Sequence, residues 1–182
     1  MLKRLVLICL LLLVGSLLFA GDIASFVNLG FSDNSKYFMF GQYGVFEESS
    51  LPYTEIFTVD VKTNQFVPNG VKSAQFEVPV QPGQLGTGAF YILLEKTFPL
   101  TQKYGINHLK TGRILYILLN GVEPKPILQF RDFNTGNSYT VTLVQTSFGS
   151  GENTASSFHI NCAIVNSAGK TDNYVIGLPD FK

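Results

Sequence analysis

Short apolar runs separated by polar turns dominate the chain after residue 21. The runs are rich in Phe, Tyr, Val and Ile, and the residues between them are mostly Gly, Asn, Asp and Ser. Aromatic and β-branched residues favour strands, whereas the small polar residues favour turns. The pattern predicts strands at 26–31, 37–43, 55–61, 65–67, 113–119, 127–133, 138–146, 157–166 and 172–176.

Two features indicate how some of these strands pair. The segments 134–137 (Asn-Thr-Gly-Asn) and 167–170 (Ser-Ala-Gly-Lys) separate neighbouring strands with residues typical of hairpin turns. The strand at 37–43 has Phe38 and Phe40 on one face and the apolar Tyr37 and Met39 on the other. Because both faces are apolar, we expect this strand to be central or covered.

A different period appears between Leu85 and Tyr104. Apolar residues recur there at spacings of three, four and seven, which is typical of a helix with a wide buried face. Thr87 is a candidate N-cap, and Gly105 stands where a left-handed residue commonly ends a helix. Pro99 removes a backbone donor, so we expect a kink or two short helices, at 88–98 and 100–104. The apolar positions are Leu85, Ala89, Leu93, Leu100 and Tyr104, with a second set at Phe90, Leu94 and Phe98.

The predicted fold is mainly β with a minor helical part (α+β). We expect an antiparallel sheet or sandwich with one kinked helix near 88–104, in a single exported domain spanning 21–182. No low-complexity tract, charge run or clean linker divides this stretch, and the one candidate seam lies near 81–88, where Pro, Gly and Gln cluster. A chain of this length is long enough for one domain with a real core.

The first twenty residues have the pattern of a secretory signal peptide. A basic start at 1–4 precedes an apolar run at 5–19, and the small residues Ala20 and Gly21 mark the predicted cleavage site. The run is shorter than the roughly 20 residues that span a bilayer comfortably. We therefore expect cleavage, with a retained leader that tethers the protein as the alternative. The predicted location is the periplasm or the outside of the cell, with membrane contact through the signal peptide alone.

Charge and cysteine content narrow the classes of function further. Thirteen basic and thirteen acidic residues balance over the chain, and loss of Lys3 and Arg4 with the leader makes the remainder slightly acidic. Such a surface lacks the basic footprint of nucleic-acid binding, so no nucleic-acid partner is expected. Cys9 lies in the leader and Cys162 is alone after it, which excludes an intramolecular disulfide in the processed chain.

A turn and two strands near the start of the mature chain carry one resemblance. FSDNSK at 31–36 is followed by the apolar YFMF at 37–40 and later by EIFTVD at 55–60. This arrangement resembles one blade of a TolB-type β-propeller, in which a polar turn feeds an apolar strand and a later strand ends in Asp. Asp33, Asn34 and Ser35 stand where those repeats have Pro, Asp and Gly. Because one blade cannot bury its faces alone, a complete propeller is not expected.

Five short segments carry a second and broader resemblance. They are FVNLGFS at 26–32, YTEI at 53–56, YGI at 104–106, SFHI at 157–160 and GLP at 177–179. On these residues the chain is similar to an uncharacterised family of predicted secreted bacterial proteins, a domain of unknown function. The segments are strand and turn residues, so the resemblance implies export and a shared fold rather than a reaction. It also implies that relatives continue past residue 179.

Few residues offer catalytic or metal-binding chemistry. His159 and Cys162 lie three apart on a predicted strand, so their side chains should point to opposite faces and cannot share a metal. DFNTGN at 132–137 partly matches a calcium loop, but Gly136 stands at its fifth position and Leu143 at its twelfth, so a hairpin turn is expected instead. No catalytic residue, metal site or cofactor is predicted.

Aromatic residues are the remaining signal. The chain holds 16 Phe and 8 Tyr but no Trp. Most must fill the core, yet some lie in or beside the loops 44–53 and 148–155, where exposed aromatic residues favour binding. The alternative is that these side chains plug the ends of the sheet. The candidate binding residues are Tyr43, Phe46, Glu47, Glu48, Tyr53, Phe148 and Asn153.

The expected role is therefore a non-catalytic binding or scaffolding module. Its partner would be an unknown envelope protein or glycan. The competing class is an envelope hydrolase with a site near His159. That class requires the His159 ring to line a cleft within about 3 Å of serine or acid oxygens.

Overall fold

Within the described residues, the predicted strands assemble into antiparallel sheets. This computed structural model describes residues 24–81, 83–118, 123, 125–150 and 155–177. The elements are β1 Ser25–Ser32, β2 Tyr37–Val45, β3 Pro52–Asp60, β4 Gln65–Gln75, α1 Thr87–Tyr104, β5 Ile106–Asn107, β6 Ile127–Arg131, β7 Ser138–Phe148, β8 Ala155–Val165 and β9 Thr171–Ile176. One sheet has the order β4-β3-β2-β1-β5 and the other the order β6-β7-β8-β9. The expected mainly β, antiparallel fold with one helix is confirmed.

The chain divides into two compact units. Unit 1 contains the described residues up to Val61 together with Gln65–Thr111, and unit 2 contains Lys62–Asn64 and the described residues from Gly112 onward. Unit 1 thus holds the first sheet and α1, and unit 2 holds the second sheet. The candidate seam at 81–88 falls inside unit 1. The single domain expected from the sequence stays a prediction.

The predicted signal peptide, including Ala20 and Gly21, lies outside the described residues. Within the described ranges, no helix combines the length and apolarity needed to cross a bilayer.

The core of unit 1 lies between α1 and one face of its sheet. Strand alternation sends Met39 of β2 and Ile56 of β3 toward the helix, where they are fully buried. The helix contributes Phe90 and Leu93 to the same cluster. Burying each such side chain stabilises the fold by about 1.5–3 kcal/mol. This cluster therefore fixes α1 against the sheet, and it confirms β2 as a central, covered strand.

The start of α1 differs from the prediction. Gly86 occupies the N-cap without a side-chain hydrogen bond, and Thr87 is the first helical residue. A Cβ atom at Gly86 would lie 2.6 Å from the backbone oxygen of Gly44, so the close approach of the two chain segments requires glycine there. The expected Thr87 cap is therefore wrong. The end of the helix is confirmed, because Gly105 has a left-handed φ of 61°.

The helix also passes through Pro99 without a break, so the alternative of two short helices is wrong. Thr97 and Thr101 lie on either side of the proline and are buried, while Pro99 itself is exposed. Packing of both flanking turns on the sheet offsets the hydrogen bond that proline cannot make. Leu85 and Phe98, expected on the buried face, are exposed instead.

Two strand predictions are also corrected. The strand at 65–67 continues as β4 to Gln75, because Asn69 takes a left-handed φ of 58° and pairing with β3 resumes beyond that irregularity. The apolar segment 113–118 forms no strand. Its Tyr116 ring stacks on Phe130 of β6 with a centroid separation of 5.3 Å. This part of the segment thus meets the sheet through side chains rather than through a backbone ladder.

The outer edge of β1 is closed by a short connection after the helix. Gly30, with φ 98°, interrupts the register with β2 and donates its N–H to the side chain of Asn28. Nδ1 of His108 lies 2.7 Å from the carbonyl oxygen of Leu29 and donates to it. The backbone N–H of Phe31 bonds the carbonyl of Lys110 at 2.8 Å. His108 is exposed.

Candidate binding surface

The face of the first sheet that points away from α1 is lined with phenylalanine. The register pairs Phe40 with Phe57 and Phe31 with Phe38, so these side chains share one face, opposite Met39 and Ile56. Further Phe residues extend the row to β1 on one side and β4 on the other. We call this surface the aromatic face, and its members are Phe26, Phe31, Phe38, Phe40, Phe57 and Phe66.

Neighbouring rings of the aromatic face lie almost parallel. Ring centroids are 5.0 Å apart between Phe40 and Phe57 and 5.6 Å apart between Phe57 and Phe66. Interplanar angles along the row do not exceed 30°. Centroids this close with near-parallel planes are offset stacks. The rings therefore turn their faces toward one another and their edges away from the sheet.

The aromatic face is most open at its two ends. Phe26 on β1 is 65% exposed and Phe66 on β4 is 55% exposed. The four rings between them are half-buried. Helix α1 lies on the opposite face of this sheet, so it does not cover the row. Unit 1 thus leaves one apolar stripe across four strands uncovered by its helix.

A polar group borders the aromatic face near the β2–β3 turn. Nε2 of Gln42 donates to Oε2 of Glu55 at 2.6 Å, and the register pairs these residues on the same face as the rings. The adjoining turn carries Glu47 and Glu48, both exposed. The flank of the apolar stripe that faces the β2–β3 turn is therefore acidic.

The sequence-predicted loop residues divide between the two sides of this sheet. Tyr43 lies on the helix side, where its ring centroid is 5.6 Å from that of Phe90. Phe46 and Tyr53 pack on each other with a centroid separation of 4.6 Å, and Tyr53 lies on the aromatic side of β3. Tyr53, with Glu47 and Glu48, thus joins the border of the aromatic face. A binding role for these residues stays a prediction.

The second predicted loop lies in unit 2. Phe148 is the last residue of β7 and is partly exposed. Asn153 lies outside the described residues. Unit 2 thus contains this loop, whereas unit 1 contains the first one.

The sheet of unit 2 separates His159 from Cys162. His159 pairs with Val144 and Cys162 with Val141 in an uninterrupted register, so the two side chains lie on opposite faces, as predicted. Burial raises the pKa of the Cys162 thiol, which disfavours the reactive thiolate. Among the described residues, no serine or acidic side chain is hydrogen bonded to His159. A hydrolase site there gains no support from this geometry.

The predicted hairpin at 132–137 is confirmed, and one buried carboxylate organises it. Arg113 holds Asp132 with two hydrogen bonds, from Nη1 to Oδ1 at 3.0 Å and from Nη2 to Oδ2 at 2.5 Å. The Thr135 hydroxyl donates to Oδ2 at 2.6 Å, and the Asn134 N–H donates to Oδ1 at 3.0 Å. These donors, the Arg113 guanidinium foremost, hold the pKa of the Asp132 carboxyl far below its usual range. Each carboxylate oxygen thus already accepts two hydrogen bonds.

Metal-ligating side chains do not cluster in the part of the chain that the structure describes. No group of three or more His, Cys, Asp or Glu residues comes together there.

The aromatic face was only partly visible in the sequence. The alternation of Phe38 and Phe40 marks one strand face, but their stacking on Phe57 and Phe66 depends on the strand register. Period-two placement of Phe in consecutive predicted strands is the signal that could have found the whole row.

Comparison with protein-family models gives a match over residues 39–180, to a family described as "Predicted secreted protein (DUF2259)". The matched region spans most of the chain and includes residues of both units. A search of curated proteins gives no match.

Proposed function

The chain belongs to this family of predicted secreted proteins, and on that premise we propose that it is a non-catalytic binding or scaffolding module of the periplasm. Its partner in this proposal is a protein that lays an apolar ridge, flanked by basic side chains, along the aromatic face. The observation that carries the proposal is the row of stacked Phe rings across four strands of unit 1, on the face that α1 leaves uncovered.

Ring orientation favours a protein partner over a glycan. Sugars pack on the faces of aromatic rings, but here the ring faces are turned toward one another. A row of ring edges instead suits interdigitation with aliphatic or aromatic side chains, as between packed sheets. Aromatic residues are also enriched at the centres of protein interfaces.

The acidic border is the reason why the proposed partner carries basic side chains beside its apolar ridge. Glu55 lies on the flank of the row that faces the β2–β3 turn, and Glu47 and Glu48 lie in that turn. Complementary charges at an interface set orientation and speed association more than they raise affinity. A basic side chain of the partner near Glu55 would therefore fix the direction in which the ridge lies across the strands.

A fluorescence experiment tests whether the aromatic face is open. Because the chain holds no Trp, Phe66→Trp introduces a single reporter at the exposed end of the row. We expect the emission of a water-exposed indole from the free protein and a blue shift when the partner binds. Emission typical of a buried indole in the free protein would contradict the proposal.

Affinity capture from the native envelope fraction tests the function itself. The double variant Phe26→Lys and Phe66→Lys changes the two most exposed rings, and Leu85→Lys is the matched control, because Leu85 is 70% exposed in unit 1 but lies off this face. We expect the double variant to lose at least about tenfold in affinity for the purified partner. Equal retention of that partner by parent, double variant and control would overturn the proposal.

A further inference from the structure

Phe133 projects from the tip of the β6–β7 hairpin in unit 2. Its side chain is 88% exposed, although apolar residues of this size usually lie inside. It follows Asp132 directly, so the turn that presents it is the one organised by the buried carboxylate. Phe133 belongs to unit 2, whereas the aromatic face belongs to unit 1.

The turn holds this ring in one backbone conformation. The Asp132 side chain, 2% exposed, is bound by Arg113, Thr135 and the N–H of Asn134. The Asp132 backbone adds two bonds of 2.8 Å, one from its N–H to the Asn137 carbonyl and one to its oxygen from the Gly136 N–H. A side chain presented by a pre-ordered turn loses little backbone entropy on binding.

Cationic and polar groups border the turn that carries Phe133. A Cβ built on Gly136 would lie 3.9 Å from Nη2 of Arg131 and 3.6 Å from Cβ of Ser167, so the guanidinium and the β8–β9 turn border the hairpin tip. Lys170 in that second turn is paired with Asp172 at 2.9 Å. Arg131 has no carboxylate partner within the described ranges. The tip therefore combines one projecting apolar ring with an uncompensated cation.

We propose that Phe133 inserts into the headgroup region of an anionic lipid surface, with Arg131 beside the lipid phosphates. Aromatic rings favour the membrane interface, and each nearby basic side chain adds attraction to anionic lipid. A specific protein interface needs about 800 Å² on each partner, whereas one ring among polar turn residues offers far less. The contact is weak and reversible, because even a single myristoyl chain gives only marginal membrane binding.

Binding to lipid vesicles, followed by fluorescence, tests this proposal. A chain that begins at Asp22 keeps every described residue and removes the apolar leader, which would bind lipid itself. In this chain Phe133→Trp provides a single indole, and we expect its emission to shift to the blue with mixed phosphatidylethanolamine and phosphatidylglycerol vesicles. Phosphatidylcholine vesicles should give a smaller shift. Added salt should weaken the response to the anionic vesicles.

Two further variants separate the contributions of the ring and the cation. Phe133→Ala should lower partitioning onto the anionic vesicles about tenfold, and Arg131→Gln about fivefold. Leu109→Ala is the control, because Leu109 is 94% exposed at a turn of unit 1, and it should leave partitioning unchanged. Equal partitioning of Phe133→Ala and its parent would overturn the proposal. So would a shift of the reporter with soluble envelope proteins but not with vesicles, which would indicate a protein pocket.

Discussion

Thr58 and Thr54 are a matched pair on one strand. Both are fully buried on the helix side of β3. The Thr54 hydroxyl donates to the Gln42 carbonyl at 3.1 Å, whereas the Thr58 hydroxyl has no hydrogen-bond partner among the described residues. An unsatisfied buried hydroxyl costs about 1–3 kcal/mol, and its replacement by an apolar group of similar shape removes that cost.

Valine substitutions at these two positions should therefore have opposite effects. Thr58→Val should raise the free energy of unfolding by about 1 kcal/mol, and Thr54→Val should lower it by about 1 kcal/mol through loss of its hydrogen bond. Urea denaturation of both variants beside the parent measures the difference. Destabilisation by both substitutions to the same extent would show that the Thr58 hydroxyl finds a partner.

Asp132 should contribute a specific acid dependence to stability. Its folded pKa is depressed, first by the Arg113 guanidinium and then by Thr135. The stabilisation is therefore complete above the unfolded-state pKa of about 3.9. It is lost as pH falls below that value toward the folded pKa, because the unfolded chain then binds the proton more readily.

The Asp132→Asn variant tests this linkage. It should be less stable than the parent at neutral pH, and the difference should shrink as pH falls below about 4. Thermal unfolding of the two proteins over a pH series gives the comparison. Asp172→Asn is a suitable control, because Asp172 pairs with Lys170 on the surface, where ion pairs contribute little. A parallel pH dependence for the parent and Asp132→Asn would contradict the expectation.

At the level of elements, glycine decides how closely α1 approaches the sheet. A Cβ at Gly41 of β2 would lie 2.7 Å from Cε2 of Phe90 and 2.8 Å from the backbone oxygen of Glu55. A carbonyl in a paired strand cannot move aside as a flexible side chain can. The absence of a side chain at Gly41 therefore permits the contact between Phe90 and the sheet.

Gly41→Ala should destabilise the protein by about 1–3 kcal/mol through overpacking. Gly88→Ala is its counterpart, because Gly88 lies in the first turn of α1 with no heavy atom within 4 Å of a built Cβ. This second change should stabilise by roughly 0.5 kcal/mol, since alanine favours helix over glycine. Denaturant midpoints for the two variants check the signs, and a neutral Gly41→Ala would show that the helix can shift away from β2.

The local pattern of residue types predicted where strands, turns and the helix lie better than it predicted which strands pair with each other. The hairpin turns, the central position of β2 and the cap at Gly105 follow from residue type and spacing, which act over a few neighbours. Thr97 and Thr101 were missed as buried because a polar residue gives no apolar period. The run around Tyr116 has strong strand propensity, but a strand also requires a partner edge, which local sequence does not specify.

At the scale of the whole molecule, the pattern of residues 1–21 predicted export, and the match to a predicted secreted family agrees with it. The composition showed that the chain is rich in aromatic residues. It did not predict where the aromatic residues would meet. The aromatic face arises because Phe residues from β1, β2, β3 and β4, up to 40 positions apart in sequence, arrive on one side through register. The exposure of Phe133 likewise depends on a turn that the buried Asp132 carboxylate organises, which the residue types alone do not show.

The outer margin of β1 also affects whether copies of the exported protein associate with one another through their strands. A strand margin with unpaired backbone N–H and C=O groups can pair with a strand of another chain, and long flat margins of this kind promote fibril formation. Here Nδ1 of His108 donates a hydrogen bond to the Leu29 carbonyl oxygen, and the Phe31 N–H donates to the carbonyl oxygen of Lys110. The kink at Gly30 further breaks the regular template. We therefore expect this margin to resist strand pairing with a second copy of the chain.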